Sequence, residues 1–293
     1  MDLTACAADL NGAADLYAAL RQSGVAASAL PELIAACDGE TRARLLSVDQ
    51  GLLRAVLRRG AGLAATEAEA QVRRFLAGIR AAPLFRPGLT DARTMALLTA
   101  GQHPDMPAFS DRAFDGWFAA QAVDYGLGAY GENRLVYETP AFADRASPER
   151  RTVHLGVDIF APVATAVFAP LAGCVVHVTC NADPLDYGHT LILQHDAKGA
   201  RFFTLYGHLA GTLPGLCREG DEVAAGQKIA ELGDWHENGG WASHLHIQVM
   251  TDKLEQHSGN FFGVGHAGLW DVWSGICIDP NLILLLPAAA YRV

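Results

Sequence analysis

The spacing of hydrophobic residues changes near residue 125, and the change divides the chain into two kinds of packing. From Ala13 to about Ala120 apolar positions recur at three and four: Leu16, Ala19 and Leu20, then Leu45, Val48, Leu52, Leu53, Val56 and Leu57. That spacing paints one face of an amphipathic helix. Thr66 followed by Glu69 has the form of a capping box opening a helix through Val72, Phe75, Leu76 and Ile79. Thr90 and Asp91 predict a helix through Met95, Leu98 and Thr99, and Ser110 predicts one through Phe114, Trp117 and Phe118. Pro83, Pro87, Pro104 and Pro107 mark the breaks. After Tyr125 glycines multiply and β-branched residues gather in short runs at 163–168, 173–178, 190–194, 202–206 and 245–250. No helical stretch separates these runs, so they read as antiparallel strands rather than parallel βαβ units. The expected fold is α+β: a helical domain over 1–124, a linker or lid over 125–149, and a mainly antiparallel β sandwich over 150–293.

Composition narrows the function. Of 293 residues, 51% are hydrophobic and 18% charged, enough to fill a core. With 22 basic and 32 acidic residues the net charge is −10, which offers no electrostatic footprint for nucleic acid or an anionic membrane. No apolar run approaches the roughly 20 residues of a membrane span. The opening MDLTACAADLNG lacks the basic start and apolar stretch of a secretory signal, so a cytoplasmic protein is expected. Cys6, Cys37, Cys174, Cys180, Cys217 and Cys277 form no CxxC pair and read as reduced thiols, with Cys174 and Cys180 the one pair close in sequence.

Segments 162–173 and 219–230 share a strand–turn–strand cadence. The second resembles the hammerhead of a biotinyl or lipoyl carrier, but Lys228 lies inside the strand pattern instead of at a hairpin tip, which argues against a carrier.

Ten of the eleven histidines fall from His154 onward, and three groups stand out. His154 and Asp158 are four apart with Gly156 between them; Tyr206-Gly207-His208-Leu209 ends a strand run; His244 and His246 are two apart. Side chains alternate along a strand, so His244 and His246 share a face. They either bind one metal together, or one binds while the other handles protons. A His, Asp and His set suits tetrahedral zinc with one position open to water, and two further histidines could then move protons and stabilise an oxyanion.

These three groups resemble the motif set of the lysostaphin-like (LytM-type) zinc endopeptidases. FAPVATAVFAPLAGCVV, GHTLILQHD, FFTLYGHLA and REGDEVAAGQKIAELGD follow that family's order, and the resemblance spans about residues 150–287. It implies a duplicated hybrid motif fold, with one Zn²⁺ per chain held by His154, Asp158 and His246, and His208 and His244 as the catalytic pair. The implied activity is amide hydrolysis in a peptide or peptidoglycan-like substrate. The alternatives are a zinc hydrolase or lyase acting on a small amide or other non-peptide metabolite, and a catalytically silent binding module. Three features depart from the family. Gly239-Gly240-Trp241-Ala242-Ser243 replaces a Ser-Thr-Gly-Pro type of turn, which makes Trp241 a candidate at the groove edge; 260–273 is an aromatic insertion; and no export signal is visible. Latent members can cover the metal with an upstream segment, and 125–142 reads either as a plain connecting strand or as such a lid. Asn133 is therefore a candidate lid residue, and Tyr130 or Tyr137 a candidate hydroxyl for the oxyanion. His177, His189, His195, His236, His257 and His266 lie outside the motifs and read as structural or rim residues.

Overall fold

Acidic side chains start most of the N-terminal helices by accepting hydrogen bonds from first-turn N–H groups. Asp2 caps α1 (Leu3–Leu10) and Asp15 caps α2 (Leu16–Gln22). Helix α3 (Leu30–Ala36) opens instead with a proline in its first turn, where the missing N–H costs nothing. Asp38 caps α4 (Gly39–Leu46) and Asp49 caps α5 (Gln50–Gly60), so the apolar run from Leu45 to Leu57 is broken into two helices. Helix α6 (Glu69–Ala77) forms without Thr66 as its cap. Glu69 accepts from the Ala65 N–H at 3.0 Å and pairs with Arg59 at 2.9 Å, while the Thr66 hydroxyl bonds to that of Thr251 at 2.7 Å. These observations come from a computed structural model, which describes residues 2–99, 103–134 and 142–286.

The helix expected over Thr90–Thr99 does not form. Its middle is strand β1 (Thr94–Ala96), followed by α7 (Ala113–Ala120) and β2 (Tyr125–Gly128), and β1 pairs in parallel with β2. Asp124 draws the chain in by accepting from the Arg93 N–H at 2.8 Å, and the ladder outweighs a weak helical spacing. Strand β2, at the start of the segment expected to link or cover, is part of the sheet.

The remaining strands are β3 (Val153–His154), β4 (Val157–Phe160), β5 (Ala166–Phe168), β6 (Gly173–Asn181), β7 (Gly188–Ala197) and β8 (Ala200–Leu209). After the short α8 (Leu213–Leu216) come β9 (Glu222–Val223), β10 (Lys228–Glu231), β11 (His244–Met250) and β12 (Val264–Gly265), then α9 (Trp270–Ile276), β13 (Cys277–Ile278) and α10 (Asn281–Leu284). The main sheet runs β1-β2-β4-β11-β8-β7-β6-β9, with β13 also on β11, and is antiparallel apart from β1 and β2. The two segments of like cadence meet, because β5 pairs with β10, and Lys228 begins a strand. Val167 and Ile229 of that pair share a core with Leu191, Leu193, Leu245 and Ile247 of the main sheet. A second core joins Leu16, Leu20, Leu53 and Val56 of the helices to Leu155 of the β3–β4 turn and Ile192, Leu205 and Met250 of the strands. The architecture is α+β, N-terminal helices followed by a mainly antiparallel β region. Among the described residues no helix is long and apolar enough to cross a membrane. The cysteines are free; Cys174 and Cys180 lie six residues apart on extended β6, roughly 20 Å by strand rise, too far to share a metal or a disulfide.

Candidate metal centre

Register builds the centre. On β11, Leu245, Ile247 and Val249 enter the apolar core, leaving His244, His246 and Gln248 on the opposite face. His246 lies opposite Asp158 on β4 and Gly207 on β8, while His244 lies opposite Phe160. His154 is brought to the same point by the turn at Leu155-Gly156. A Cβ at Gly156 would stand 2.7 Å from His246 Cε1 and Nε2, so the imidazole fits only against glycine.

His154, Asp158 and His246 are buried, and one ligand atom of each lies within 4.8 Å of the others. His154 Nε2 is 3.0 Å from His246 Nδ1, and these nitrogens lie 3.2 and 2.9 Å from Asp158 Oδ1. The outer nitrogens are engaged by acceptors: His154 Nδ1–H donates to the Ala129 carbonyl at 2.8 Å and His246 Nε2–H to Gln248 Oε1 at 2.9 Å. Each imidazole therefore turns its lone pair inward, onto a carboxylate oxygen. Three acceptors this close repel one another unless a cation lies among them, and two imidazoles with a carboxylate form a zinc-type donor set. The residues present fit the metal.

Electrostatics favour the same state. Burial, reinforced by Arg134, brings the His154 imidazole down to about 4. Burial alone would raise Asp158, but the adjacent His154 and Arg134 hold it well below the usual carboxylate range. At neutral pH the ligand set thus contains a neutral imidazole and a carboxylate anion, the forms that bind metal.

His208 and His244 stand beside this cluster with ring centroids 4.2 Å apart. His208 sits at φ 62°, a left-handed backbone unusual outside glycine, and its N–H is held by the Tyr187 carbonyl at 2.7 Å. Its Nδ1–H donates to the Asn238 carbonyl at 2.8 Å, and that of His244 to the Ala242 carbonyl at 2.7 Å. Burial and the neighbouring histidines push His208 well below the usual imidazole range; burial also lowers His244. His244 stacks on Phe160 at 4.7 Å. A cavity of 490 Å³ opens onto these rings, with Arg134, Trp241, Phe109 and Phe262 among its walls.

The other sequence candidates scatter. Trp241 is buried in the cavity wall, edge-on to His208 at 6.3 Å. Tyr130 donates its hydroxyl to the Cys277 carbonyl at 2.6 Å and packs on Trp270, away from the cavity. Asn133 is exposed and bridges to Val153 through its backbone. Tyr137 lies outside the described residues. Sequence reasoning missed Glu132, Arg134, Tyr187 and Gln248. Arg134 donates to Asp158 Oδ2 at 2.6 Å and to Glu132 at 2.8 Å. Gln248 Oε1 also accepts from the Tyr187 hydroxyl at 2.8 Å. Gln248 was readable as the next residue on the face of His244 and His246; Tyr187 carried no local signal.

Residues 152–258 match the model of peptidase family M23. Similar solved structures include a zinc-containing peptidase from Vibrio cholerae, 30% identical over 34% of this chain and 28% of that one, with a TM-score of 0.29. The catalytic domain of the antimicrobial peptidase lysostaphin from Staphylococcus simulans is 22% identical over 53% of this chain and 96% of that one, with a TM-score of 0.33. Csd3 from Helicobacter pylori is 19% identical over 38% of this chain and 26% of that one, with a TM-score of 0.26. This chain thus spans about a quarter of the length of the Vibrio and Helicobacter proteins. No curated protein sequence matches it. His154, Asp158, His208, His244 and His246 all fall within the matched segment, and residues 152–258 are a peptidase family M23 domain.

Proposed function

We propose that this protein is a zinc-dependent peptidase that hydrolyses an amide bond in a peptide or peptidoglycan-like substrate. His154, Asp158 and His246 hold one zinc ion, and His208 and His244 act on the substrate. The observation that carries this reading is the inward convergence of three donors, each outer nitrogen engaged elsewhere, beside two further imidazoles in one cavity. When bound, zinc supplies a Lewis acid that polarises the scissile carbonyl and brings the pKa of water to about 7.

The chain supplies the rest. With Nδ1–H of His208 and His244 held by carbonyls, Nε2 is the nitrogen left on each for chemistry. Both are neutral at pH 7 because burial lowers them. One accepts a proton at Nε2 as water attacks, its added positive charge then favours the developing oxyanion, and it returns the proton to the leaving amine. Rings 4.2 Å apart resist carrying two charges, so a proton on one keeps the other neutral. Trp241 and Phe109 shield the rings from bulk water.

The test is metal analysis of purified protein, followed by mass-spectrometric detection of cleavage across cytosolic peptides and cell-wall fragments, with and without chelator. We expect one zinc per chain and chelator-sensitive products. A preparation that refuses added zinc would overturn the reading in favour of a binding module. Cleavage confined to small amides would replace the peptide substrate with that class.

A further inference from the structure

We propose that Glu132 and Arg134, tied to Thr99, are positioning residues that fix Asp158 to one-oxygen coordination and set the net charge of the centre. This rests on the reading of Asp158 as a metal ligand. Arg134 bridges two carboxylates, with Nη1 2.6 Å from Asp158 Oδ2 and Nε 2.8 Å from Glu132 Oε2. All three side chains are at most 4% exposed. Because Oδ2 of Asp158 accepts from the guanidinium, Oδ1 is the oxygen that faces His154 and His246. The other oxygen of Glu132 accepts from the Thr99 N–H at 2.6 Å and the Thr99 hydroxyl at 2.8 Å.

The space for this bridge is built in. Gly128 on β2 lies opposite Asp158, and a Cβ there would come within 2.6 Å of Arg134 Nη2 and 3.1 Å of Asp158 Cβ. Thr99, Gly128, Glu132 and Arg134 all precede the matched segment 152–258. The upstream chain therefore supplies the support of the ligand carboxylate.

Charge explains why both Glu132 and Arg134 are present. Arg134 alone would cancel Asp158 and leave a divalent cation facing a site of no net charge. Glu132 restores one net negative charge without competing for the metal. A buried triad of this kind is weak evidence for stability, since desolvation offsets much of the attraction. Its direct contact with the ligand carboxylate assigns it to the metal instead.

The full-length protein is titrated with zinc against a chromogenic chelator, and melting of the metal-free forms reports folding. Glu132→Gln should weaken zinc about tenfold, the scale of changes behind a ligand. Adding Arg134→Met should return affinity toward wild type, because the opposing cation has gone, while kcat falls below wild type because Asp158 has lost its anchor. Thr99→Val keeps every charge and disturbs folding least; it should weaken zinc in the same direction by a smaller factor. Unchanged affinity in Glu132→Gln and Thr99→Val, or a double variant no tighter than Glu132→Gln alone, would overturn the proposal. If Asp158→Asn also binds zinc like wild type, the ligand reading itself fails.

Discussion

Two buried histidines, His154 on the short β3 and His195 on β7 of the main sheet, share burial and low basicity but not chemistry. His195 on β7 stacks on Phe202 at 4.9 Å, with Nδ1 2.7 Å from the Ala172 carbonyl and Nε2 2.8 Å from the Thr204 hydroxyl. Burial brings it down to about 4, as it does His154. The difference lies in the second nitrogen. That of His195 is satisfied by a neutral hydroxyl, whereas Nε2 of His154 faces a carboxylate oxygen and another imidazole nitrogen. Low basicity follows from burial alone and does not distinguish a ligand from a structural ring. The partner of the second nitrogen does.

The sharpest way to break that contrast is Asp158→Asn. It should lower zinc affinity by more than about 100-fold, beyond what changes behind a ligand produce, measured by chelator competition. Next comes His244→Ala, which should keep one zinc per chain by metal analysis yet lower kcat by roughly 10²–10⁴. Loss of zinc in that variant would show that ligand and proton-handling roles have been divided wrongly. Gln248→Leu removes the acceptor behind His246 and should weaken zinc about 10–100-fold. Thr204→Val, the matching change behind His195, should leave zinc affinity and turnover untouched and cost about 1 kcal/mol in urea unfolding.

The parts of this site readable in the sequence are those set by local geometry. Alternation along 244–250 fixes the shared face of the two histidines, and the same rule extends to Gln248 two residues further on. The four longest strands, β6, β7, β8 and β11, announce themselves by β-branched runs between turns. What escaped depends on pairing across the chain. Strand β1 is three residues long, too short to show a period, and exists because β2 is there to receive it. Glu132 and Arg134 look like solvated charges beside a glycine turn until Asp158, 24 residues beyond Arg134, supplies the partner. Tyr130 sits near the centre in sequence, yet its hydroxyl is drawn to Cys277, 147 residues away.

An effect confined to acid pH belongs to His195 itself, and its sign follows from linkage. Its imidazole titrates near 6.5 when unfolded and at about 4 when folded. Above pH 6.5 both states are neutral and the residue adds no pH dependence. Between 6.5 and 4 the unfolded chain binds a proton that the folded chain refuses, so stability falls as pH falls. By pH 5 the loss is about 2 kcal/mol relative to pH 7. His195→Gln, which keeps an amide able to bond Thr204, should remove that share of the acid limb in urea unfolding at pH 7 and pH 5. The metal-site histidines contribute equally to both proteins and cancel in the difference. Zinc affinity at pH 7 should be unchanged. A variant with the same acid limb as wild type would mean that His195 is protonated when folded, and the distinction drawn from its hydroxyl partner would fall.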